Sequence, residues 1–130
     1  MRPRDLARVF LEKASQDEVV LAKFTDDPEV ADEVIGFHAQ QATEKLLKAV
    51  LINFEVEHER THNLARLMKL VKRAGLRLPK EITRLDVLSP FAVELRYALF
   101  PDDLDISFDR REIRDLVRQL REWVEKEIKA

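Results

Sequence analysis

The sequence predicts an all-α fold, an up-and-down bundle of four to five helices, and three observations carry that prediction. Only two glycines, Gly36 and Gly75, stand among 130 residues, so tight turns and long loops are scarce. The bulk of the chain is Leu, Ala, Glu, Lys and Arg, the residues that cost least in a helix. Apolar side chains recur every three or four positions rather than alternating. With 45% apolar and 37% charged residues, such a chain buries one core beneath a charge-dense surface, and its length suits a single domain over residues 1–130. The absence of cysteine excludes disulfides and thiolate metal sites and leads us to expect a cytoplasmic protein. No apolar run nears the roughly 18–20 residues of a bilayer span, and "MRPRDLARVF" lacks the apolar core of a signal peptide. The 23 basic and 25 acidic residues nearly cancel, so only a local patch would point to nucleic acid.

Taken in order, segment 4–25 carries Leu6, Val9, Phe10, Ala14, Val20, Leu21 and Phe24 on one predicted helical stripe, with Lys13, Gln16 and Lys23 outward. "TDDPE" ends it, and Pro28 is placed to open the next helix, where a missing N–H costs nothing. Segment 29–55 is the longest pattern. Its apolar positions, from Val30 to Phe54, cover more than half the circumference, as expected of a central helix contacted from two sides. Segment 62–74 places Leu64, Leu67, Met68 and Val71 on one face, with Gly75 where a left-handed cap belongs. Segment 79–99 carries Ile82, Leu85, Leu88, Ala92, Leu95 and Leu99, and Pro90 should kink or split it. "FPDDLDIS" reads as a loop. Segment 109–128 has Ile113, Leu116, Val117, Leu120, Trp123, Val124 and Ile128 on one face and alternating charges opposite.

"HERTH", His58 to His62, spells the His-Glu-x-x-His of many zinc peptidases. For both imidazoles to share a face, the two flanking helices must fuse into one of roughly 46 residues, about 70 Å long. That is too long for a compact domain of this size. The chain is therefore predicted to break between Asn53 and Thr61, with Thr61 as N-cap and His58 in the connection. The zinc spelling is read as an accident, and neither a metal nor a cofactor is expected.

The central helix contains "FHAQQATEKLLKAVL" (37–51), followed by "RTHNLARLMKL" (60–70), "ELRYALFPDD" (94–103) and a last helix "SFDRREIRDLVRQLREWVEK" (107–126). This series resembles the HEPN family of small prokaryotic helical domains, with its F-H-x-x-Q-A-x-E-K-x-L-K-A helix and T-H-x-L helix start. The resemblance implies a HEPN-like bundle that forms homodimers, often paired with a minimal nucleotidyltransferase as a toxin–antitoxin system. It also implies, for catalytic members, a ribonuclease motif of Arg, four to six residues, then His. Counting from Arg96, the matching positions are Pro101, Asp102 and Asp103, and no arginine precedes His38, His58 or His62 at that spacing. The motif is absent, so the reading leans away from an enzyme.

Several residues admit two readings. His38 is either a core or interface histidine bonded to a carboxylate or carbonyl, or a ligand contact in a dimer cleft. Gln41, Lys45 and Lys48 form either a solvated edge, with Glu44 and Lys48 paired four apart, or a basic strip for phosphate. His62, with Arg60, flanks a helix N-terminus that favours an anion, although capping alone explains Thr61. Arg96 and Tyr97 lie near the end of the fourth segment, where arginine either bridges to Asp102 or Asp103 or serves a ligand. The expected function is a non-catalytic dimeric module that binds a nucleotidyltransferase partner, a nucleotide or an RNA phosphate. An anion would gather Lys45, the Thr61–His62 turn and Arg96. The alternatives are a ribonuclease toxin with a non-standard active site, and a purely structural helical interaction module.

Overall fold

The computed structural model describes residues 1–92 and 107–129. Among them every regular element is helical: α1 (Pro3–Phe24), α2 (Asp32–Asn53), α3 (Leu64–Arg73), a 3-10 segment (Lys80–Ala92) and α4 (Arg110–Lys129). The predicted all-α bundle is thus the observed one.

α1 starts with Pro3 in its first turn, and the Asp5 carboxylate accepts from the Arg2 backbone N–H at 3.2 Å. Its buried face differs from the predicted stripe. Ala7, Ala14, Asp17 and Leu21 are buried, while Leu6 and Phe24 are 38% and 39% exposed. Two alanines a double turn apart give α1 a flat side, and among the described residues its contact with α2 is the most extensive between two helices.

α2 begins at Asp32, later than Pro28 suggested. Asp27 diverts the chain first: its carboxylate accepts from the Glu29 amide at 2.9 Å and its carbonyl from the Val30 amide at 3.2 Å. Asp32 and Glu33 then fill the first turn, where acids complement the helix dipole. The broad apolar girth of α2 is covered within the chain, since α1, α3, the 3-10 segment and α4 all pack against it.

α2 ends at Asn53 and α3 starts at Leu64, so the predicted break falls where the zinc spelling lies. The cap is Asn63, whose side chain accepts from the Arg66 amide at 3.1 Å. Thr61, predicted as the cap, instead accepts from the Asn63 amide at 3.0 Å and shapes the turn before it. Gly75 follows α3 with φ 87°, in the left-handed conformation expected there.

The segment predicted as a kinked α-helix over 79–99 is a 3-10 helix as far as Ala92; Leu95 and Leu99 lie outside the described residues. It buries Ile82, Leu85, Leu88 and Phe91, a spacing of three that matches the 3-10 turn. α4 buries Ile113, Leu116, Val117, Leu120, Val124 and Ile128 as predicted, with Trp123 half-buried against the same core. Its first residue, Arg110, holds the α1–α2 connection. The guanidinium donates to Asp32 Oδ1 at 2.6 Å, to the carbonyls of Asp27 at 3.2 Å and Thr25 at 3.4 Å, and to the Val30 carbonyl.

Candidate functional site

α2 is buried on nearly every side. From Val34 to Ile52 the only positions left open between them are Phe37, His38, Gln41, Lys45 and Lys48. Helical spacing aligns these into one strip, and four of the seven candidate residues fall on it. The connection into α3 lays a fifth, His62, against the same strip. The remaining two, Arg96 and Tyr97, lie outside the described residues.

Two buried carboxylates organise the strip. Asp17 reaches across from α1 and binds His38 Nδ1 at 3.0 Å through one oxygen and Lys45 Nζ at 2.7 Å through the other. Glu44, on α2 itself, binds His62 Nδ1 at 2.7 Å and Lys48 Nζ at 3.1 Å. Each carboxylate therefore bridges one lysine and one histidine. Gln40, fully buried, donates to Glu44 Oε1 at 3.0 Å and accepts from Gln41 Nε2 at 2.7 Å, which ties Gln41 into the network.

The chemistry of this arrangement follows from what each group can do. Ionised carboxylates only accept, so each imidazole must carry its proton on Nδ1, and its Nε2 is left as an acceptor when neutral or a second donor when charged. His62 is 62% exposed at its side chain, whereas His38 is 28% exposed. Burial alone would raise the Glu44 carboxyl, but donors from Gln40, His62 and Lys48 outweigh it and hold Glu44 below the usual carboxylate range. Both lysines already face a carboxylate, Lys48 the Glu44 four residues before it, so of the two readings of this strip the bare basic patch does not hold. Asp17 and Gln40 were missed. The signal for Asp17 was an acid three residues after Ala14 and four before Leu21, on the buried side of α1.

His58 takes no part. Its Nδ1 lies 3.1 Å from the Val56 carbonyl in the α2–α3 connection, away from the Glu44 pair of His62. Among the described residues, no group of three or more His, Asp or Glu stands where it would hold a metal ion.

A second opening, about 520 Å³, lies between α1 and α4, where Glu18 and Val19 face Arg114, Arg118 and Arg121. Burial pushes the Glu18 carboxyl up despite the Arg121 guanidinium 2.9 Å away, and its Oε2 has no hydrogen-bond partner. Every arginine of this wall is paired with an acid, Arg114 with Asp115, Arg118 with Asp115 and Glu122, Arg121 with Glu18 and Glu125. The opening therefore offers no uncompensated charge to a ligand, and the α2 strip is the better site.

A family model described as "HEPN domain" matches residues 27–129, from the α1–α2 connection to the last residue of α4. The chain belongs to the HEPN family. In this HEPN protein the matched stretch contains α2, His62 and the Glu44 bridge, while α1, which supplies Asp17, precedes it. The chain has no significant match among curated proteins or among solved structures. No helix among the described residues is long and apolar enough to cross a membrane.

Proposed function

We propose that this protein is a non-catalytic HEPN module, one domain that forms a homodimer in the cytoplasm and binds a nucleotide or RNA phosphate on the open strip of α2. Membership of the family supports a minimal nucleotidyltransferase as its partner, in a pair of the toxin–antitoxin type. The observation that carries the ligand reading is the strip itself: between Val34 and Ile52, His38, Gln41, Lys45 and Lys48 are the polar groups of α2 left open, and His62 joins them through Glu44. Imidazolium and ammonium donors on one line suit the oxygens of a phosphate backbone. Fluorescence anisotropy with a labelled single-stranded RNA at pH 6 tests it. His62→Ala should weaken binding roughly 10-fold, in the range of one charge-assisted hydrogen bond, while Lys126→Ala on the outer helix should change it little. Equal losses from both would place the site elsewhere. Sedimentation at micromolar concentration, in the same buffer, tests the dimer.

A second reading, a ribonuclease toxin with a non-standard active site, draws on a different feature. Two imidazoles, each oriented by a carboxylate, supply the base and the acid that metal-independent cleavage needs. Under the first reading the RNA stays intact in the anisotropy sample. His38-dependent cleavage would favour the second.

A further inference from the structure

We propose that the α2 strip takes up its phosphate ligand together with protons, one on His38 and one on His62, so that pH sets its affinity. The inference rests on the phosphate-binding reading above and goes on to its regulation. The bridged groups form two closed units, Lys45–Asp17–His38 and Lys48–Glu44–His62, at contact distances of 2.7–3.1 Å. With neutral imidazoles, two ammonium groups face two carboxylates and the strip carries no net charge. An anion approaching it meets lysines whose attraction is cancelled by the acids behind them. Protonating both histidines changes the strip to a charge of two positive units, and turns each Nε2 from an acceptor, which repels phosphate oxygen, into a donor, which binds it.

The surroundings favour that response. His38 faces Asp17 from α1 and shares it with Lys45 of α2; His62 faces Glu44 and shares it with Lys48, both of α2. Each ring lies against a carboxylate, which attracts added positive charge, and each carboxylate holds a lysine on its far side, which opposes it. The phosphate anion decides. Its charge adds to the carboxylate's and draws a proton onto each ring, so binding and protonation are linked in both directions.

A phosphodiester ligand makes a clean test, because its own charge is constant between pH 5.5 and 8. A short single-stranded RNA oligonucleotide is titrated calorimetrically into the full chain at pH 6, 7 and 8, in two buffers of different ionisation enthalpy. The difference between buffers counts protons. We expect uptake on binding near pH 7.5, and affinity at least about 10-fold weaker at pH 8 than at pH 6. His62→Ala, at an exposed position, should bind more weakly with about one proton fewer taken up. Asp17→Asn, which frees Lys45, should bind more tightly at pH 8 and flatten the pH dependence. Equal affinity at pH 6 and 8 without proton uptake overturns the proton linkage and leaves the phosphate reading standing; no binding at any pH overturns both.

Discussion

Glu55 closes α2 with φ at 55°, where a side chain's Cβ crowds its own carbonyl and glycine is the usual occupant. The cap it forms is complete: the Glu55 amide donates to Ile52 at 3.0 Å and the Val56 amide to Leu51 at 2.9 Å. The hydrogen bonds are made, and the conformation alone is unfavourable. Glu55→Gly should therefore stabilise the fold by roughly 0.5–1 kcal/mol, after allowing for the greater freedom of glycine in the unfolded chain. Glu55→Ala keeps the strain, and its urea midpoint should not rise with that of the glycine variant. Single residues were the least legible part of the sequence. His38, Gln41, Lys45 and Lys48 were found because their spacing on a helix is plain. The partner of His38 and Lys45 was not, because Asp17 stands on another helix, and no local pattern announces which carboxylate will cross a helix–helix contact. Arg96 and Tyr97, named from the sequence with them, stay outside the described residues.

At the level of elements, four of the five were placed by hydrophobic period and punctuation. Their ends shifted by the few residues that a competing side chain controls, as Asp27 delays α2 and Asn63 displaces Thr61 at the start of α3. The 3-10 segment was misjudged in kind. Ile82, Leu85, Leu88 and Phe91 repeat every third residue, which fits a helix of three residues per turn. An α-helical reading tolerates most of that spacing, so it absorbed the first three positions and chose Ala92 over Phe91. Phe91 proves to be the residue that fixes how this segment meets α2. A Cβ on Gly36 would stand 2.9 Å from the Phe91 ring, itself buried and set edge-on to Phe108 at 5.6 Å. Gly36→Ala gains about 1 kcal/mol of helix propensity and loses roughly 1–3 kcal/mol to overpacking. The net effect should be a loss, read as a lower midpoint in chemical denaturation. Combined with Phe91→Leu, the same change should cost less than it does alone, since the ring that blocks it is gone.

For the molecule as a whole, Glu44 and Glu18 pull the response of stability to acid in opposite directions. Glu44 is held below its ordinary value of 4.5, so the unfolded chain takes up this proton first as pH falls. Its contribution is therefore present above about pH 4.5 and lost as the pH drops toward and through the folded value. Glu18 acts in the opposite sense: burial holds it above its ordinary value, so the folded chain binds that proton more readily and is favoured by mild acid. Glu44→Gln should then flatten the acid limb of a stability–pH curve below pH 5, while Glu18→Gln should not. The bundle class was the most legible level of all, because composition and period act along the whole chain. The clamp of Arg110 on the α1–α2 connection was invisible, being a contact between positions 78 residues apart. That distance has a meaning in time. During synthesis at roughly 5–20 residues per second, Arg110 follows Asp32 by about 4–16 s. Through that interval the carbonyls of Thr25 and Val30 must be served by water or by a chaperone, while that of Asp27 keeps its bond from the Val30 amide. The nascent α1–α2 hairpin leaves the ribosome held by its own packing, and its turn is fastened only when the last helix arrives.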